Sequence, residues 1–417
     1  MPSPLRLPSN GIPKVFSTPA EFNKAANLLA HGVGPVAIDT ERANSFRCDD
    51  RAFLIQLHRR GVGTLLLAPE HHRAELHSAL APVLNPLEWV VHAALSDLPS
   101  LLALGLYPSS LIDTEKAAKI AGYTYTNLGQ LTSDILDLEL AKGHGRENWS
   151  ITPLPKDWII YAALDVEKLI ELSEALVEIL DQQGKLSWAT EEFEFIRHGV
   201  TPNRDPRTGH VQPTPLPITH WRETKGIGAL RTKKQLAIAK ELWLARNTIS
   251  QHQDIAPSRI LKNKELIAIA QLCATTPAAT AQALHLKSLN KKAVYWSSIA
   301  RKAIQKDAAT WPDVPTPHKP PFPPSKYWQD HYPHVLDFYQ KSRTLLEAKS
   351  REIHTPLDCI ISMSVLKEVA WVCAEQYNTC HAEIVAGILA KHHARNWQIE
   401  FIINTLCFEG KIIFPYS

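Results

Sequence analysis

Apolar positions in the first 200 residues follow two rhythms. Short runs rich in Val, Ile and Leu, at Val36–Asp39 (VAID), Phe53–Leu57 (FLIQL), Thr64–Leu67 (TLLL) and Trp89–His92 (WVVH), predict strands, some buried on both faces. Helical spacing predicts helices at Phe22–Leu29, Leu98–Leu104, Thr114–Ala121 and Asp157–Leu180. Such a mixture predicts an α/β sandwich around a central sheet. Farther along, the rhythm is helical throughout. Leu236, Ala239, Leu242 and Trp243 share one face, and Asn263 is placed to cap a helix beginning at Lys264. Residues 335–410 also read as all-helical, with apolar stripes around Val365–Val372 and Ile384–Leu389.

Two proline-rich stretches, Thr201–Thr219 and Trp311–Pro324, resemble semi-rigid linkers. They divide the chain into residues 1–200, a linker 201–220, a middle part 221–306, a linker 307–325 and a C-terminal part 326–417. Several domains suit 417 residues, because a single core stops growing at roughly 250–300. No run of about 18 apolar residues occurs, and prolines interrupt the opening MPSPLRLPSN, so neither membrane insertion nor export is expected. Cys48, Cys273, Cys359, Cys373, Cys380 and Cys407 form no C-x-x-C pair and read as reduced thiols of a cytoplasmic protein.

Charge changes this picture. The net charge is +3, yet residues 221–306 hold sixteen Lys and Arg against four Asp and Glu, which leaves −9 on the remainder. A basic module attached to an acidic body is the footprint of a polyanion partner, or else a solvated lysine-rich helical face.

The candidate chemistry is acidic. Asp39 and Glu41 follow the apolar run at 36–38, and positions two apart on a strand project from one face. Neighbouring carboxylates in a low-dielectric place repel and take up protons, whereas a divalent cation favours the ionised pair. Asp97 lies where a strand feeds a helix, as a further acid of the same centre or as a plain helix cap. Tyr161 and Asp165, four apart, share a helix face. Each feature alone has an ordinary structural reading.

Their order does not. An acid pair on a strand, an acid at a strand-to-helix junction, then Tyr-x-x-x-Asp on a late helix resembles the DEDD 3′→5′ exonucleases in their tyrosine variant. The flanking His92–Pro99 (HAALSDLP), Asn148–Leu154 (NWSITPL) and Tyr161–Glu167 (YAALDVE) resemble ribonuclease D in particular, over most of residues 14–200. In the middle part, Arg231-Thr232, Gln235-Leu236, Glu241–Arg246 and Asp254–Leu261 resemble an HRDC domain. By placement and length, the C-terminal part resembles a second HRDC-like domain, as in actinobacterial members of that family.

The resemblance implies an RNase H-like exonuclease fold followed by two all-α domains. It also implies two Mg²⁺ or Mn²⁺ ions held by Asp39, Glu41, Asp97 and Asp165. Asp39 would bridge both ions, Glu41 and Asp165 would hold the one beside the attacking water, and Asp97 would support the second. Tyr161, a poor base at neutral pH, would orient the water. The implied activity is trimming of RNA 3′ ends, precursor tRNA among them, to nucleoside 5′-monophosphates; a DNA-directed exonuclease and a non-catalytic RNA-binding adaptor are the alternatives. Lys225, Arg231, Lys233, Lys234, Lys240, Lys287, Lys291, Lys292, Arg301 and Lys302 are the expected phosphate contacts, with no obligate protein partner or membrane. In the loop 141–150, Lys142, Arg146 and Trp149 either meet the substrate strand or are solvated. The pairs His71-His72 and His392-His393 lack ligand spacing and read as surface residues.

Overall fold

The computed structural model describes residues 2–140, 143–217, 219–315, 322–377 and 380–409; Lys142 lies outside them. Six strands form a mixed sheet in the order Val15–Phe16, Gly63–Leu67, Ala52–Arg60, Val33–Arg42, Glu88–Val91, Ser110–Asp113. The Val33–Arg42 strand is central, antiparallel to Ala52–Arg60 and parallel to Glu88–Val91.

Alternation along that central strand builds two layers. Val36 and Ile38 join a core with the helices Pro19–Ala30 and Arg73–Leu84. Ala37 points the other way, into a core with Thr114–Ala121, Leu169–Gln182 and Leu186–His198. By the same alternation Asp39 and Glu41 fall on the face of Ala37, and Thr40 and Arg42 on the other. The predicted strands are all present, some longer than expected. The long helix expected over 157–180 is two, Lys156–Glu167 and Leu169–Gln182, broken at Lys168. No Pro or Gly marks the break. Glu167 beside it is buried and accepts the Ser9 N–H at 2.9 Å, a partner from the other end of the domain.

From Trp221 on, the regular elements of the described residues are helical. A second core gathers Trp221, Leu236, Leu242, Ile269 and Trp296 around the Lys233–Gln253 helix. Asn263 does not cap the next helix. That helix runs Asn263–Gln271 with Lys262 at its N-cap; Glu265 reaches back to the Lys262 N–H at 2.9 Å, while Asn263 accepts from Arg246 at 2.7 Å. A third core, around Trp328, Phe338 and Leu366, covers the C-terminal helices.

Both helical parts are fastened to the sheet domain by charged joints. Asp254, ending the Lys233–Gln253 helix in a left-handed conformation, accepts from Arg51 at 2.8 and 3.1 Å, from Arg47 at 3.1 Å and from the Cys48 N–H at 3.3 Å. The Ala256 N–H donates to the Phe46 carbonyl at 3.0 Å and Arg259 to that of Ser45 at 2.7 Å. This joint grips the loop 43–51, which leaves the central strand just past Glu41. At the C-terminal joint, Glu192 accepts from Arg395 at 2.5 Å and from the Trp397 indole at 3.1 Å, and Trp397 stacks on Trp188 at 5.0 Å. Gly122 fits there because a Cβ would lie 2.1 Å from the His354 carbonyl oxygen.

Candidate active site

The acid pair meets its partner across one face of the sheet. The Lys156–Glu167 helix packs on the central strand and brings Asp165 to the side that carries Asp39 and Glu41. One oxygen from each of the three carboxylates lies within 4.8 Å of the other two. Three hard oxygen donors at that spacing fit a divalent cation such as Mg²⁺ or Mn²⁺.

Asp97 reaches the same centre from the opposite layer. On the central strand the parallel neighbour Glu88–Val91 pairs with Val36 and Ala37 and does not reach Asp39, so this edge is free of it from there onward. Asp97 fills that edge. Its side chain caps no helix; it accepts from the Thr40 hydroxyl at 2.6 Å, from Arg42 at 2.7 Å and from the Ser96 hydroxyl at 2.9 Å. The plain cap reading is therefore excluded by geometry. Asp97 is nevertheless no member of the three-carboxylate group, because its own oxygens face these donors.

Confinement shifts the acids. Asp39 is pushed well above the usual carboxylate range by burial, then by the charges of Asp97 and Asp165. Glu41 is pushed up to about 10, by burial first and then by Asp39 and Asp165. Asp165 rises to about 7 through burial, against a lowering contribution from the Tyr161 hydroxyl. Tyr161 is itself raised, by burial and the adjacent carboxylates, and so stays protonated at neutral pH. Its ring rests against His144 at 5.7 Å and Trp149 at 6.4 Å.

A pH dependence follows. Asp165 and Glu41 start from unfolded values of 3.8 and 4.5, and both are raised on folding. Their contribution to stability is thus complete below about pH 4 and is lost as pH rises through the folded values, about 7 and about 10. With EDTA present, the urea midpoint is expected to be lower at pH 8 than at pH 5, less so for Glu41→Gln, and Mn²⁺ is expected to restore it at pH 8. Parallel pH profiles for parent and variant would contradict this.

Other expected contacts fare differently. Trp149 cannot meet a substrate strand: it is 2% exposed, packs on Trp158 at 5.2 Å and donates to the His144 carbonyl at 3.1 Å, so it supports Tyr161 from behind. Arg146 is exposed. In the basic module Lys225, Arg231, Lys234, Lys287, Lys291 and Lys302 are exposed and Lys240 half-buried. Lys233 pairs with Asp313 at 2.6 Å, Lys292 with Glu265 at 3.1 Å, and Arg301 donates to the Thr275 carbonyl at 3.2 Å. His392 is tied to Glu368 at 2.8 Å. Reading the sequence missed Arg42 and Gln56. Gln56 faces Asp39 across the strand pair and donates to it at 3.4 Å. A cation directly after an acid pair was the available signal for Arg42.

Comparison with known proteins agrees with this geometry. Residues 13–181 match a family model described as 3′-5′ exonuclease, and residues 235–291 match the HRDC domain. The chain resembles ribonuclease D, with a 3′-5′ exonuclease match followed by an HRDC match. The C-terminal helices, residues 321–408, match a separate model described as 3′ to 5′ exonuclease C-terminal domain. A curated ribonuclease D of Granulibacter bethesdensis is 29% identical over 214 residues, 51% of this chain and 50% of that protein. The chain spans about half the length of the first such curated relatives. A crystal structure of a protein from Bifidobacterium adolescentis superposes with a TM-score of 0.79 at 28% identity, covering 97% of this chain and 98% of that one. Escherichia coli RNase D, titled an exoribonuclease involved in structured RNA processing, shares the fold with a TM-score of 0.62 at 17% identity, over 91% of this chain and 99% of that one. No helix among the described residues is long and apolar enough to cross a membrane.

Proposed function

We propose that this chain is a divalent-metal-dependent 3′→5′ exoribonuclease that removes nucleoside 5′-monophosphates from RNA ends, with 3′-extended precursor tRNA as substrate. The observation that carries this reading is the convergence of Asp39, Glu41 and Asp165 to within 4.8 Å beside the Tyr161 hydroxyl. Asp39, Glu41 and Asp165 would hold one cation, and Asp39 with Asp97 would hold a second. Two bound divalent ions supply Lewis acidity to the attacking and leaving oxygens of an in-line displacement. Tyr161 keeps its proton, so its hydroxyl aims the attacking water and does not act as a base.

The HRDC domain supplies attraction that the acidic body lacks. Lys225, Arg231, Lys234 and Lys291 are among its exposed cations and are assigned to phosphates away from the cut; Lys233, Lys240 and Lys292 hold a lesser share, the first and last being already paired with acids.

The test is digestion of a 3′-tailed precursor tRNA and a sequence-matched DNA with Mn²⁺. Stepwise release of 5′-monophosphates from the RNA is expected, slower in Tyr161→Phe by roughly 10- to 100-fold at unchanged KM. Faster release from DNA would point to a DNA exonuclease, and binding without release to an adaptor. In the same assay, Lys234→Ala with Lys291→Ala is expected to flatten the slope of log affinity against log salt by roughly one to two; an unchanged slope would remove these lysines from the interface.

A further inference from the structure

The four acids divide into two kinds according to what offsets their charge. Among the described residues, Asp39, Glu41 and Asp165 form no ion pair with a cation. Asp97, 2% exposed, has one. The Arg42 guanidinium lies 2.7 Å from its carboxylate. The same nitrogen, Nη1, is held by the Ser96 carbonyl at 2.6 Å and the Thr40 hydroxyl at 3.1 Å, while Nε faces Asp50 at 3.5 Å.

Arg42 reaches this position by alternation from Thr40, next to a register shift in the strand pair. Glu41 pairs with Leu54 but Arg42 with Ala52, so the strand is irregular between them, a device that re-aims side chains beside sites. The rest of the arm is not enclosed. Arg42 lines a cavity of about 940 Å³ between the loop 43–51, the proline-rich linker and the Lys233–Gln253 helix. The guanidinium thus has open space on one side and a carboxylate of the centre on the other.

We infer that Arg42 is the resident counter-ion of Asp97: it stands where a second cation would be taken up and must swing out before that cation enters. A buried carboxylate without a cation is costly, so Asp97 keeps its guanidinium until another positive charge replaces it. A cation arriving at Asp97 meets the like charge of Arg42 at close range, which lowers its affinity. A phosphate group at the cavity mouth offers Arg42 a bidentate partner in place of its single contact with Asp97 and draws it off. Loading of the second ion is thereby coupled to arrival of the nucleic-acid end, while the group of Asp39, Glu41 and Asp165 can fill without it.

This rests on the metal-dependent reading above, and a binding measurement separates the two. Mn²⁺ titration of the full chain, followed by electron paramagnetic resonance of the free ion, is expected to show one tighter and one weaker site. In Arg42→Gln the weaker site should tighten by about tenfold or more, whereas Arg42→Lys, which keeps the charge, should stay near the parent. Addition of a nucleoside 5′-monophosphate should tighten the second site in the parent and have little effect on Arg42→Gln. An unchanged or weaker second site in Arg42→Gln overturns the counter-ion role. Unaltered Mn²⁺ binding in Asp39→Asn would instead overturn the metal-dependent reading itself.

Discussion

Asp39→Asn is expected to lower nucleotide release at saturating Mn²⁺ by at least about a thousandfold, because groups acting as one catalytic unit fail together. Asp39 stands at the middle of the centre: the charges of Asp97 and Asp165 both act on it, and it acts in turn on Glu41 and Tyr161. Asparagine keeps the shape and a contact to Gln56 while removing the charge that a bridging ligand provides. The same change should make the metal-free protein slightly more stable at pH 8, since one of several crowded carboxylates is gone. Single-turnover kinetics and urea unfolding in EDTA measure the two effects. Activity within tenfold of the parent would rule out Asp39 as a central ligand.

Trp397→Ala is expected to cost about 3–5 kcal/mol in urea unfolding, the range for deleting a large buried aromatic side chain. Trp397 is 2% exposed and joins two units at once. Its ring lies nearly parallel to Trp188, with 13° between planes, and its indole N–H satisfies Glu192, whose side chain is 3% exposed. Truncation opens a cavity and leaves Glu192 with Arg395 as its remaining side-chain donor. A two-step transition, with the C-terminal helices melting first, is the expected signature, and a loss below about 1 kcal/mol would mean that the joint lies elsewhere.

Much of the site was legible because its spacing is local. Asp39 and Glu41 share a face by strand alternation, and Tyr161 and Asp165 by one helical turn. The ambiguity of Asp97 was a matter of tertiary placement, because a helix cap and an edge-filling acid read alike in sequence. It took the early end of the Glu88–Val91 strand to decide between them. Arg42 directly follows the acid pair, but its contact with Asp97 is a matter of tertiary placement. Trp149 read as a loop residue because its neighbours are polar; its burial comes from Trp158 and Tyr161, on a helix further along. The break at Lys168 and the displaced cap at Asn263 follow from partners distant in sequence, Ser9 and Arg246.

The grip of Asp254 on Arg47 and Arg51 bears on how the chain can be dissected. Excising residues 221–306 to test what the basic domain contributes would also remove Asp254 from Arg47 and Arg51 on the loop that follows Glu41, leaving Arg51 with Asp49 and Glu70. A truncated nuclease would thus differ from the parent in the walls of its own entrance as well as in its hold on a distant phosphate, and weak activity in it would not separate tether from scaffold. Point changes on the exposed lysine face leave that loop anchored, and they are the cleaner way to assign each share.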